Sequence, residues 1–273
     1  MKLFSCIHIN DNPILIHHFI KYYRKCGIDD FRIILHANEE YNKELSPHLE
    51  AFENFLASMG LSVGKYWLEE KFTDEKKQDK LNDYKREVCG PEQGEGDLNQ
   101  WTIQADVDEF IDEEIFTDEA LNSEGNFIMG KLSDRVSASG DFLPITEDSN
   151  LFELFPTQTM ITKYVNNGDD NKVPLSRASV MLGPGHHWPL PTHQQPYREK
   201  IIETLTYKPR VRIHHFKYMA GTLENIKEKI INNVNISEVG WKGEMMKFIL
   251  FLLLECKGPK LDLDKLVMYT DED

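Results

Sequence analysis

Two hydrophobic patterns alternate along the N-terminal part of the chain, and that alternation constrains the fold more than any other feature. KLFSCIHI (2–9) is a short apolar run rich in β-branched and aromatic residues, the pattern of a buried strand. Asn12-Pro13 then supplies an N-cap and a proline at the first helical position. Leu15, Phe19, Tyr22 and Cys26 follow at helical spacing up to Gly27, where a glycine C-cap belongs. FRIILH (31–36) reads as the next strand. Ser46-Pro47 opens a second helix with Leu49, Phe52, Leu56 and Met59 on one side, Gly60 closes it, and LSVGKYW (61–67) is a third strand. This β-α-β-α-β order predicts an α/β fold with a mostly parallel central sheet flanked by helices. Ligands bind such sheets beyond the carboxyl ends of the strands. Three segments are expected to converge there: Ile9-Asn10-Asp11, His36-Ala37-Asn38 and Asp106-Val107-Asp108.

The third of these ends WTIQA, a fourth apolar run. Strand alternation places Asp106 and Asp108 on one face, with Val107 turned to the core. Two adjacent carboxylates repel unless a cation lies between them, and oxygen-rich sites suit Mg²⁺ or Mn²⁺ completed by phosphate oxygens. The plain alternative is a solvated strand end, since 46 Asp and Glu against 31 Lys and Arg give a net charge of −15. That charge repels nucleic acid and anionic membranes, and it leaves open a small anionic ligand approached through a bound cation. Forty per cent hydrophobic residues in 273 are enough for a large core. The expected division is a ligand-binding and catalytic domain over 1–220 and a helical extension over 221–273 packed on the same body.

Elsewhere, residues 73–88 read as a charged, largely solvated helix and GPEQGEG (90–96) as a loop. Short strands are expected around FIMGKL and SRASVML, followed by the loop GPGHHWPLPTHQQP. A strand VRIHHF (211–216) and helices over 222–233 and 244–255 complete the chain, and alternation turns His214 and His215 to opposite faces. The segment with Met245, Met246 and FILFLLL reads as core or as a homo-oligomer contact. Four scattered cysteines, Cys6, Cys26, Cys89 and Cys256, form no CxxC pair and suit a reducing compartment. The longest apolar run, Phe248 to Leu254, is far short of the ~20 residues that span a bilayer. The N-terminus carries no signal-peptide pattern, so a cytoplasmic protein without a transmembrane segment is expected.

IHINDNPILIHHFIKYYRKCGIDDFRIILH resembles the opening of bacterial glycosyltransferases related to family 2, and WTIQADVDEFI resembles their D-x-D-E-F signature. GKLSDRVSASG, GPGHH and HHFKY follow in the same order, so the resemblance spans roughly residues 3–218. It implies a GT-A-like fold, a UDP- or GDP-sugar donor, Mn²⁺ or Mg²⁺, and a saccharide or glycan-precursor acceptor. By the same resemblance Asp106 and Asp108 are the metal ligands, His215 completes the metal shell and Lys217 contacts a phosphate. Ile9, Asn10, Asp11 and Asn38, with Asp106, would line the donor nucleotide, and Glu109 would orient the metal ligands or a water. The chain departs from the group after its second strand, where His36-Ala37-Asn38-Glu39-Glu40 replaces an Asp-rich turn.

An inverting transfer needs a general base, for which Asp134 in LSDRV is the first candidate, with Glu147, Asp148 and Glu153 as rivals. Arg135 beside it offers Asp134 a structural ion pair instead. In the Gly-Pro-Gly loop, His187 is an alternative metal ligand or acceptor contact and Trp188 a platform for a sugar ring. Two other functions fit the same residues: a metal-dependent phosphohydrolase, and a non-catalytic member that binds glycan or nucleotide.

Overall fold

The computed structural model describes residues 1–37, 47–68, 72–91, 96–116, 125–190, 206–224, 226 and 239–270. It is a mixed α/β structure whose chain divides into two compact units. The first comprises Met1–Lys131 with Asn171–Val211, the second Leu132–Asp170 with Arg212–Asp273.

In the first unit, strand β1 (Lys2–His8) buries Leu3, Phe4 and Ile7 completely. Helix α1 (Pro13–Lys25) starts where the sequence says it should, because the Asn12 side chain accepts from the backbone N–H of Ile14 at 2.9 Å and Leu15 at 3.4 Å. It stops at Gly27, whose φ of +80° lets Ile28 turn back and donate to the Tyr23 carbonyl. Strand β2 (Asp30–Ala37), helix α2 (Pro47–Ser58) and strand β3 (Val63–Leu68) continue the alternation. Helix α3 (Asp74–Cys89) then returns the chain to strand β4 (Trp101–Gln104) on the other side of β1. All three ladders in the resulting order β3-β2-β1-β4 are parallel. The strand order reverses between β1 and β4, and an open α/β sheet binds ligands in the crevice at such a switch point.

Helix α3 is only partly the solvated element its composition suggests: Glu75, Lys76, Asp79, Lys80, Asp83, Arg86 and Glu87 are exposed, and the opposite face is not. Lys77, Gln78, Leu81, Asn82, Tyr84, Lys85 and Cys89 are all buried on the face that packs against β1 and the 184–186 turn. Polar residues are tolerated there because they find partners: Asn82 donates to the Leu182 carbonyl at 2.8 Å and accepts from the Leu182 N–H at 3.1 Å.

Beyond β4 the ladders β4–β8, β6–β8 and β6–β7 are antiparallel. Strands β5 (Glu109–Ile111), β6 (Phe127–Val136), β7 (Thr157–Thr159), β8 (Asn171–Arg177) and β9 (Thr206–His215) follow in chain order. β8 pairs with β4 and β6, and β9 and β5 extend the order past β6. Sequence alternation places a strand at SRASVML, but the strand is NKVPLSR, and the chain turns after Arg177. Pro174 disguises it, since proline cannot donate to a ladder. The β6–β8 register shifts between Ile128 and Gly130, opposite that proline.

The second unit contains the C-terminal half of β6, paired to β7 through Asp134 and Thr159. It also holds the short helices α4 (Leu151–Leu154) and α5 (Ile161–Tyr164), the end of β9, and helix α6 (Val239–Leu254). Its core gathers Val136, Ile161, Tyr218, Phe248, Leu252 and Leu261. No helix among the described residues is long and apolar enough to cross a membrane.

Candidate functional site

The strand carrying the DVDEF motif ends earlier than alternation implies. β4 stops at Gln104, and Asp106 to Glu109 form a turn closed by the Glu109 N–H on the Asp106 carbonyl at 3.0 Å. Asp106 and Asp108 are therefore turn residues, and the period-two rule that put them on one strand face does not apply to them. β5 begins at Glu109, and helix α1 fixes it from below: the Tyr23 hydroxyl donates to the Glu109 carbonyl at 3.0 Å and accepts from the Ile111 N–H at 3.2 Å.

Asp106, Glu109 and His186 each offer a ligand atom, and these atoms lie within 4.8 Å of one another. Two buried lysines neutralise the carboxylates. Lys77, in the first turn of α3, reaches both oxygens of Asp106 at 2.9 Å. Lys172, on β8, meets Glu109 Oε1 at 2.9 Å and donates to the Gly185 carbonyl at 2.9 Å. Glu109 Oε2 lies 3.1 Å from His186 Nε2 and accepts from the Asp106 N–H at 3.2 Å.

Burial pushes both carboxyls upward, but the lysine charges override it. Asp106 is held below the usual carboxylate range mainly by Lys77, and Glu109 well below it by Lys172 and then His186. Burial and the Lys172 charge depress His186, which favours a neutral ring. His186 Nδ1 has no hydrogen-bond partner among the described residues.

His186 reaches this position through an uncommon backbone. Gly185 at φ +64° and His186 at φ +46° are successive left-handed residues, and a Cβ on Gly185 would strike the His187 ring at 2.6 Å. The imidazole of His186 ends fully buried. Its neighbour His187 turns elsewhere, with Nδ1 2.5 Å from the Asn171 carbonyl. Trp188 packs partly buried against Phe127, Met129, Val173 and Leu182.

Of the other sequence candidates, Ile9, Asn10 and Asp11 do follow β1 at the switch point. The Ile9 N–H donates to the His36 carbonyl at 3.0 Å, continuing the β1–β2 ladder. Asp11 closes the turn, accepting from the His8 N–H at 2.8 Å, and the exposed Asn10 N–H donates to His8 Nδ1 at 3.0 Å. Asn38 lies outside the described residues. Asp108 is half-buried on the same turn as Asp106 but does not belong to the three-residue group.

Asp134 and His215 belong to the second unit. Asp134 is fully buried and accepts from the Thr162 N–H at 2.6 Å and the Thr162 hydroxyl at 2.8 Å, while His215 Nδ1 lies 2.7 Å away. Arg135 points to the other face, donating to His214 Nδ1 at 3.2 Å and to the Pro156 carbonyl at 3.2 Å. The alternation of His214 and His215 thus holds, each facing a different member of the Asp134-Arg135 pair. Lys217 is half-buried and lines a small cleft with Asn166, Tyr218, Ile226, Glu244 and Phe248.

Sequence reasoning missed Lys77, Lys172 and His186 as site residues. His186 had a signal, the GPGHH bend, but nothing in the spacing ranks one histidine above the other. Lys172 sat in a strand hidden by Pro174, and Lys77 in a helix whose composition reads as surface.

No family model and no curated protein matches the chain. Among solved structures, it is similar to a protein described as a glucose-1-phosphate thymidylyltransferase from Bacillus anthracis, in complex with sucrose. The two are 13% identical with a TM-score of 0.40, over 87% of this chain and 98% of that one. It is also similar to the inositol-1-phosphate CTP transferase from T. maritima, 12% identical with a TM-score of 0.25, over 52% of this chain and 60% of that one. At these scores the likeness carries no inference about function.

Proposed function

We propose that the protein is a transferase that uses a UDP- or GDP-sugar, moving the sugar to a saccharide or glycan-precursor acceptor. The observation that supports this reading is the carboxylate–imidazole group at the switch point between β1 and β4, where an α/β sheet of this order binds its ligand. The donor set is hard oxygen with one imidazole, which fits Mn²⁺ or Mg²⁺. Bound there, the ion would supply Lewis-acid stabilisation of the charge developing on a departing diphosphate. Glu109, held on both oxygens, positions the turn, and Asp106 offers the more exposed carboxylate, with 26% of its side chain accessible against 4% for Glu109. A two-metal phosphohydrolase is less well supported, because the described residues contain one such group.

The test is calorimetric titration of UDP and GDP with and without Mn²⁺, on wild type, Asp106→Asn and Asp108→Asn. Nucleotide binding should require Mn²⁺ and should fall at least ~10-fold in Asp106→Asn, a loss of about 1.4 kcal/mol. Mn²⁺-independent binding, or undiminished binding by Asp106→Asn, would remove the assignment. In turnover, release of nucleoside diphosphate marks sugar transfer, whereas release of pyrophosphate would mark nucleotidyl transfer.

A further inference from the structure

The two carboxylates of the site differ in how firmly they are held. Glu109 has Lys172 on one oxygen, and His186 with a backbone N–H on the other, at the bottom of the group. Asp106 is held through its side chain by Lys77, which bridges both of its oxygens at 2.9 Å. The Lys77 backbone is anchored, its N–H donating to the Thr73 carbonyl at 2.9 Å, so its freedom lies in the long side chain. The next carboxylate within its reach is Asp74, at 4.0 Å.

We propose that Lys77 is an exchangeable counter-ion: it neutralises Asp106 until a divalent cation arrives on a nucleoside diphosphate, and then pairs with a phosphate oxygen of that ligand. The proposal rests on the reading of Asp106 as a cation ligand. A bare cation that takes Asp106 leaves the buried Lys77 ammonium with only Asp74, half-exposed and 4.0 Å away, and a poorly paired buried charge is disfavoured. A cation carrying a diphosphate brings a replacement anion for the lysine. Cation and nucleotide should therefore bind cooperatively, and the coupling must be reciprocal. The same exchange keeps the strongly acidic chain from filling the site with whatever divalent ion is free.

Mn²⁺ binding to the whole chain, followed by loss of the free-ion electron paramagnetic resonance signal, tests this without reference to turnover. Wild type should bind Mn²⁺ alone weakly. Lys77→Met, which frees Asp106, should bind it at least ~10-fold more tightly, within the roughly 5–150-fold range of ordinary site coupling. Lys77→Gln, a second uncharged variant, should behave like Lys77→Met and decides the matter if the Met variant does not fold. Lys77→Arg keeps the charge and grips a carboxylate with a planar fork, so it should bind Mn²⁺ no better than wild type. Equal Mn²⁺ affinity in wild type and Lys77→Met, or tighter binding by Lys77→Arg, would overturn the exchange and leave the cation site standing. Absence of Mn²⁺ binding in every variant, with and without UDP or GDP, would overturn both.

Discussion

Asp134 shows how a candidate base can be engaged as a structural acceptor. Its carboxylate is fully buried, takes two hydrogen bonds from Thr162 and sits against His215. Replacing it by asparagine keeps the shape but sets an amide N–H against one of these donors. A buried group left facing the wrong partner costs about 1–3 kcal/mol. Asp134→Asn should therefore lower the melting temperature. Single-turnover rate on the same preparation then tells structure from catalysis: a full rate in the folded fraction leaves Asp134 a purely structural residue, and a fall of ~10²–10⁴-fold identifies it as the base.

At the scale of the element, α3 carries a buried lysine that makes stability depend on pH. Lys85 is buried on it, donates to the Val180 carbonyl and lies 3.4 Å from the Ser176 hydroxyl. Burial pulls its pKa down to about 7 from an ordinary 10.5. Between those values the unfolded chain binds a proton that the folded chain does not. The Lys85 contribution to stability therefore rises with pH through that window, by an amount on the order of 5 kcal/mol. Lys85→Met removes the titration. Its melting temperature should exceed the wild-type value near pH 6, and the gap should shrink as pH rises towards about 10. Parallel curves for the two proteins would show that Lys85 does not titrate in this window.

Across the whole molecule, the net charge of −15 should outweigh any single ion pair in setting the response to salt. Self-repulsion of surface carboxylates destabilises the compact state and is screened by salt, whereas the Lys77–Asp106 and Lys172–Glu109 pairs are too buried to be screened much. The melting temperature should rise as ionic strength goes from about 0.01 M to about 0.15 M, where the screening length drops from ~30 to ~8 Å. A fall over that range would mean that exposed ion pairs such as Lys25–Glu113 and Arg86–Asp83 outweigh the repulsion.

Local physics made part of this protein legible. Asn12-Pro13 and Gly27 bound α1 because capping depends on a few neighbouring atoms, and the order β-α-β-α-β carried the parallel ladders with it. The DVDEF motif was visible for the same reason, as carboxylates where an apolar run ends. The rest was settled by residues far apart in the chain. Which histidine of GPGHH turns inward depends on two left-handed residues and on the Lys172–Glu109 pair that receives the ring. Lys77 and Lys85 look like surface residues but lie on the buried face of α3, and only the strands and turns packed against that face supply the anion and carbonyls that allow it. Periodicity reports which residues share a side of an element. Whether that side meets water or a matching set of polar groups is decided when the elements pack.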